Sequence, residues 1–362
     1  MSHSISPSTE APGGLAASSE APLVPYHGAQ MPAWYSSAID EHRAVRTAAG
    51  LFDFSFRSIF SAEGSDRGRF LHNMTTNDVK GLTPGLGLYA AMLDVRGHIL
   101  ADLEILCDED RFLVSTDADL LDKVLTMLGR YNIGGRVPID TVSLTVLSVQ
   151  GPKAAAIVED ALRAPSPGPE EFCHAKGSIT GQAVRVIKTS STGEEGYELW
   201  VAPEVLTAVR DFVLEIGREH GLIRCGSAAL ETLRIEAGIP EYGSELGEDT
   251  LPLEAGLMTA LSFNKGCYIG QEIVERARSR GRVNWKLAGF FFESPAPPLV
   301  GEQLLAEGKP MGEITSACVS PTLERTIALG YVRREVVEPG TRLELASGGA
   351  AVVTTLPFYR RA

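Results

Sequence analysis

From about residue 30 onward, apolar residues spaced for strands alternate with apolar stripes spaced for helices. The stretch Ile99–Cys107 has period two. Ile99, Ala101, Leu103, Ile105 and Cys107 take one side, and Leu100, Asp102, Glu104 and Leu106 take the other. Tyr89–Leu93 is its hairpin partner, joined through Asp94-Val95-Arg96-Gly97, which carries Asp first and Gly fourth as a type I turn prefers. A three-residue loop closed by Gly97 places Tyr89 and Asp102 on opposite faces, and an even-length loop places them together; the turn chemistry favours the first.

Helices are expected over Asp40–Ala49 and from Asp119, where Leu120, Leu121, Val124, Leu125 and Leu128 form one stripe. A strand over Ser143–Val149 precedes a helix opened by Gly151-Pro152, with proline in the first turn, where its missing N–H does no harm. Ala164–Pro169 reads as a surface loop, Val184–Lys188 and Tyr197–Val201 as strands, and Pro203–Glu219 as an amphipathic helix. After a boundary near Asn284–Lys286 the chain alternates β-type runs with Gly and Pro turns, which describes a small all-β domain over 286–362.

Composition narrows the class. With 362 residues, 44% hydrophobic and 22% charged, the chain is long enough for two or three domains. A net charge of −13 argues against broad electrostatic binding to nucleic acid or anionic lipid. Residues 1–21 are rich in Ser, Pro, Ala and Gly and read as a disordered tail, with neither the basic start nor the apolar core of a signal peptide. No apolar run approaches a membrane span. Five dispersed cysteines without a CxxC pair point away from a zinc site or a disulfide framework, so no metal is expected and a reduced, cytoplasmic protein is.

The segment richest in chemistry is Lys265-Gly266-Cys267-Tyr268-Ile269-Gly270-Gln271-Glu272. Two glycines and a thiol ahead of an Ile-Val run can set Cys267 near a helix N-terminus, where the dipole lowers a thiol pKa; a half-buried cysteine packing as a small hydrophobe fits equally. The octapeptide resembles the KGCYxGQE motif of YgfZ-type folate-binding proteins, within the glycine-cleavage T-protein superfamily. Further segments resemble T-proteins: Met31–Tyr35, Glu41–Arg46, Gly50–Ser55, Thr76–Val79, Thr192–Leu199, Ala229–Gly238 and Tyr242-Gly243.

The resemblance implies an α+β protein, with two mixed sheet-and-helix subdomains over 22–285 (break near 140) and a C-terminal β-barrel, around a central cavity for a reduced folate. It implies that Glu198 accepts the paired N–H donors of the pterin edge and that Arg234 serves the acidic tail. It places Asp102 beside the reactive folate nitrogens and lines the site with Tyr89 and Tyr242. On the residues alone, Glu198 is a solvated strand charge, Arg234 a helix-surface ion pair, and Asp102 an outward residue of a half-buried strand. Three positions depart from the T-protein pattern: Ala101 for an aspartate, Ser191 for a tyrosine, and Asp117 for an asparagine.

The resemblance leads to a tetrahydrofolate-binding accessory factor for iron–sulfur protein assembly or repair, with Cys267 reactive or partner-facing. The alternative is a tetrahydrofolate-dependent aminomethyltransferase, served by a lipoyl carrier protein, or a related demethylase, with Asp102 catalytic. A folate-free interaction scaffold is the third reading. Arg276, Arg278, Arg280, Arg282 and Lys286 form the one basic cluster that could meet a polyglutamate tail, an acidic partner or RNA, and a solvated helix end accounts for it as well.

Overall fold

The computed structural model describes residues 22–279, 281 and 283–361. The proposed tail and two members of the arginine cluster, Arg280 and Arg282, lie outside the described residues.

Two sheets and a barrel organise the chain. The first sheet runs Gly87–Leu93, Ile99–Cys107, Arg111–Asp117, Arg57–Glu63, Ile139–Val142, antiparallel throughout. The alternation expected over Ile99–Cys107 decides its packing. Ala101, Leu103 and Ile105 pack on Leu71 of helix Arg67–Met74 and on Val124 and Leu128 of helix Leu121–Tyr131. The second sheet runs His174–Ile179, Gln182–Lys188, Gly196–Val201, Thr145–Gln150, Ala49–Asp53, Leu222–Arg224, with only the last pair parallel. Helices Ala154–Leu162 and Leu206–Gly217 cover one of its faces through Ile157, Val158, Val209 and Val213.

The other faces of the two sheets meet each other. Leu106, Leu113 and Ile59 from the first pack with Phe52, Val146 and Trp200 from the second, joined by Phe54 and Phe56. Side chains two residues apart on a strand share a face. Asp102 and Glu104 therefore lie on the face of Leu106, and Glu198 on the face of Trp200. The carboxylates are set at the place where inter-sheet packing opens into a hollow.

A closed six-stranded barrel follows, in the order Trp285–Phe292, Arg325–Arg333, Lys309–Ser320, Gln303–Ala306, Arg342–Leu345, Ala350–Thr354. It rests on helix Ser227–Ala237, where Ile235 packs with Ile327 and Leu329. The fold is α+β, as expected. Among the described residues, no helix is long and apolar enough to cross a membrane.

The expected break near residue 140 lies where Ile139–Val142 of the first sheet gives way to Thr145–Gln150 of the second, and Ala49–Asp53, ahead of the first sheet in sequence, crosses it to pair with Thr145–Gln150. One expectation is corrected. The first long helix spans Ala38–Thr47, starting before Asp40, because the Ser37 hydroxyl accepts the Asp40 N–H at 3.1 Å and caps it.

Candidate functional site

Between the sheets and the segment 238–259 lies a cavity of about 620 Å³, within the roughly 300–1,000 Å³ typical of small-molecule sites. Phe54, Phe56 and Phe172 give it aromatic walls, and its floor is acidic. Tyr89, Asp102, Glu198, Arg234 and Tyr242, chosen from the sequence, all line it. Cys267 does not.

The hairpin settles the orientation of Tyr89 against the expectation from its turn. Gly97 takes φ +82° and its N–H bonds to Asp94 O at 3.0 Å, so the turn is as anticipated. However, the register shifts between Met92 and Leu93: Leu93 opposes Ile99, whereas Met92 opposes Ala101. The additional residue, Leu100, forms a bulge. A one-residue slip exchanges faces, so Tyr89 comes opposite Glu104 and on the same side as Asp102. Its hydroxyl donates to Asp102 Oδ2 at 3.0 Å. Asp102 Oδ1 is buried and has no hydrogen-bond partner. Burial, then the neighbouring Asp117, raises the Asp102 pKa, while Arg57 and Tyr89 oppose that rise.

Glu198 is held by Trp200, whose indole N–H donates to Oε2 at 2.7 Å; burial raises its pKa against the pull of Arg57. Arg234 presents a different picture from a waiting anion clamp. Its N–H groups reach Glu231 twice (2.8 and 2.5 Å), Glu245 at 2.9 Å, Ser316 at 2.8 Å and the Ile239 carbonyl at 3.3 Å. A guanidinium has five N–H donors, and all five are engaged. Tyr242 accepts from Lys123 at 3.0 Å.

Three further residues escaped the sequence reading. Arg57 donates to Asp117 Oδ1 at 2.9 Å and to Ser115 at 3.0 Å, and lies 3.2 Å from Glu104 Oε2. Burial opposes its charge, yet Glu104, Asp117, Glu198 and Asp102 together raise its pKa further. Glu104 is pushed up to about 8 by burial, against the pull of Arg57. His27, in the turn between Leu23–Tyr26 and Ala29–Pro32, bridges Glu241 (2.9 Å) and Asp117 (3.3 Å). Its pKa rises to about 9: burial opposes the charge, but the hydrogen bond it donates to Glu241 and the charges of both acids outweigh it. His27, Asp117 and Asp119 also place one ligand atom each within 4.8 Å of one another. Glu104 was discoverable, two residues from Asp102 on the same face. Arg57 had no local signal.

The positions that depart from the T-protein pattern fall in different places. Ala101 is fully buried in the helix-facing core, away from the cavity. Ser191 and Asp117 line the cavity.

Cys267 is exposed. It lies in a separate, open hollow of about 440 Å³ with His72, Lys80 and Tyr268. Cys267 and Asp102, the residues on which the two function readings turn, thus lie in separate hollows, and the expected placement of Cys267 near a helix start is corrected: the helix Gln271–Ser279 begins four positions later. The reason lies in the rest of the octapeptide. Lys265 donates to the carbonyls of His72, Thr75 and Asn77 at 2.5, 2.5 and 2.7 Å, closing the C-terminus of helix Arg67–Met74. Tyr268 is buried in a core with Leu93 and Ile99. With Lys265 and Tyr268 turned inward, Cys267 faces outward. Arg276 and Arg278 pair with Glu272 and Glu275 along their own exposed helix.

Comparison with known proteins adds independent findings. Residues 15–265 match the GCVT N-terminal domain, and residues 286–360 match the glycine cleavage T-protein C-terminal barrel domain. Aminomethyltransferases from Halothermothrix orenii, Bacillus subtilis and Symbiobacterium thermophilum are 33%, 34% and 36% identical to the chain. Each comparison covers 93% of this chain, and 95%, 95% and 93% of the respective relatives. The crystal structure of glycine cleavage system aminomethyltransferase T from Bartonella henselae superimposes with a TM-score of 0.85 at 26% identity, over 94% of both chains.

Proposed function

This chain belongs to the glycine-cleavage T-protein family, and on that premise we propose that it binds tetrahydrofolate between its two sheets and transfers a one-carbon unit to it, as an aminomethyltransferase. The observation that carries this reading is Asp102. One of its oxygens is fixed by Tyr89, and the other is a buried acceptor without a partner on the cavity wall.

The donor set fits a reduced folate. The pterin edge offers an amino group and a ring N–H side by side, and Glu198, oriented through Trp200, accepts such a pair. Two N–H donors favour the ionised form of Glu198 and so offset the burial that raises its pKa. Phe54, Phe56 and Phe172 supply apolar surface for the flat ring. Bound tetrahydrofolate supplies the nitrogens that take up the carbon unit. The chain orients them, excludes water and accepts a proton at Asp102 Oδ1. Tyr89, whose pKa burial raises well above its ordinary value, stays a neutral donor and keeps Asp102 in place. A lipoyl-carried aminomethyl group is the donor class this reading expects.

The assay is methylene-tetrahydrofolate formation from a lipoyl-carried aminomethyl donor and methyl-tetrahydrofolate formation from N-methyl donors. Asp102→Asn should lower kcat by about 10²–10⁴ and leave tetrahydrofolate affinity in calorimetry nearly unchanged. Turnover indifferent to Asp102→Asn removes the reading.

Exposed Cys267 favours a second reading, a folate-binding accessory factor for iron–sulfur proteins of the YgfZ type. It expects Cys267→Ala to keep folate affinity and to lose rescue of an iron–sulfur-enzyme defect. Full rescue by the variant counts against it.

A further inference from the structure

Arg57 is a buried cation to which no role in the cavity has yet been given. It opens strand Arg57–Glu63, and its register partner is Asp117, the last residue of the neighbouring strand. Its guanidinium pairs with Asp117 at 2.9 Å and Glu104 at 3.2 Å. Asp102 follows on the face of Glu104, and Glu198 approaches from the opposite sheet. One cation thus faces four carboxylates on three strands. His27 holds Asp117 from its other side and passes the network on to Glu241. Tyr89 donates to Asp102 Oδ2.

A low-dielectric cluster of this kind does not keep every carboxylate ionised. Which members carry protons decides which oxygens can accept one. Asp117 is held between Arg57 at 2.9 Å and His27 at 3.3 Å. Glu104 touches Arg57 alone. Asp102 touches Tyr89 at one oxygen and nothing at the other.

We propose that Arg57 is a positioning residue that assigns proton acceptance to Asp102: its ion pairs fix Asp117 and Glu104, and its charge keeps Asp102 Oδ1 an unprotonated acceptor facing the ligand. The inference rests on the one-carbon-transfer reading and deepens it. Its electrostatic support is that burial drives both Asp102 and Glu104 upward while Arg57 is the cation that restrains both.

The test removes the charge in two ways, Arg57→Met and Arg57→Gln, the second keeping an amide that can reach Ser115, and restores it with Arg57→Lys. In the neutral variants the acid limb of the kcat profile should move up by about 1–3 pH units, and it should return toward its original position in the lysine variant. A rate lowered equally at every pH, with the limb unmoved, overturns the proposal. Infrared difference spectroscopy, which reads protonated carboxyls directly, keeps this separate from the transfer reading. Even if the wild type transfers nothing, the neutral variants at pH 8 should gain protonated carboxyl, because Arg57 restrains Asp102 and Glu104 alike, and part of that gain should disappear when Asp102→Asn is added. No gain, or a gain that Asp102→Asn leaves undiminished, overturns the proposal. Should neither neutral variant fold, Asp102→Asn in the otherwise unaltered chain decides at pH 8. An unchanged count supports an ionised Asp102, and loss of a protonated carboxyl refutes it.

Discussion

At the scale of single residues, the site works through divided side chains. Asp102 gives one oxygen to Tyr89 and leaves the other without a partner; Glu198 gives one to Trp200. Arg234 has nothing left to give, and its bidentate partner Glu231 sits in the fork as a ligand carboxylate would. Glu231 is the most exposed acid paired with Arg234, at 37% against 18% for Glu241 and 0% for Glu245, so it is the one a folate tail can displace. Glu231→Gln weakens that competitor. The affinity for tetrahydrofolate carrying a polyglutamate tail should rise by about two- to fivefold, as expected from losing a partly exposed ion pair, with little change for a folate that lacks the tail. Calorimetry with both ligands checks it, and equal effects on the two would place Arg234 outside tail binding.

At the scale of elements, what could be read from sequence depended on whether the information was local. Strict alternation in Ile99–Cys107 separates the core row from the row bearing Asp102, Glu104 and Leu106, and the hollow opens on the second row. The bulge at Leu100 was not legible. Loop length alone sets the faces only in a regular hairpin, and a register shift within the strands is set by packing from outside it. Leu93 and Ile99 are held in the core that contains Tyr268 and Val274, and Gly270 lies so close to the turn that a Cβ there would come 2.7 Å from Asp94 O. The octapeptide therefore serves the cavity from behind, bracing the hairpin and, through Lys265, holding the Asn77 carbonyl while the Asn77 amide donates to Tyr89 O. A motif that reads as a thiol site in sequence thus puts Lys265, Tyr268 and Gly270 in structural service, and Cys267 stands exposed beside them. Arg57 stayed hidden for the same reason. A lone arginine at the start of a strand reads as a surface charge until the second sheet brings Glu198 to it.

At the scale of the whole molecule, the N-terminal helix, the central helix and the barrel meet on one carboxylate outside the cavity. Glu236 is fully buried and accepts from Arg46 Nη2 at 2.6 Å, lies 2.9 Å from His42 Nε2, and binds the Ser320 and Thr322 hydroxyls of the barrel. Burial penalises its charge, but His42, Ser320 and Arg46 hold the pKa down at about 2. A carboxylate depressed from its ordinary 4.5 contributes stability that is complete above that value and is lost as the pH falls through the folded-state pKa. The contribution at neutral pH is on the order of 3 kcal/mol. Glu236→Gln should therefore be less stable than the wild type by about that amount at pH 7 in urea unfolding, and the gap should close progressively between about pH 4.5 and pH 2. A gap of the same size at every pH would mean that Glu236 contributes shape rather than charge. In that case the barrel would be held on the central helix by the apolar contact of Ile235 with Ile327 and Leu329.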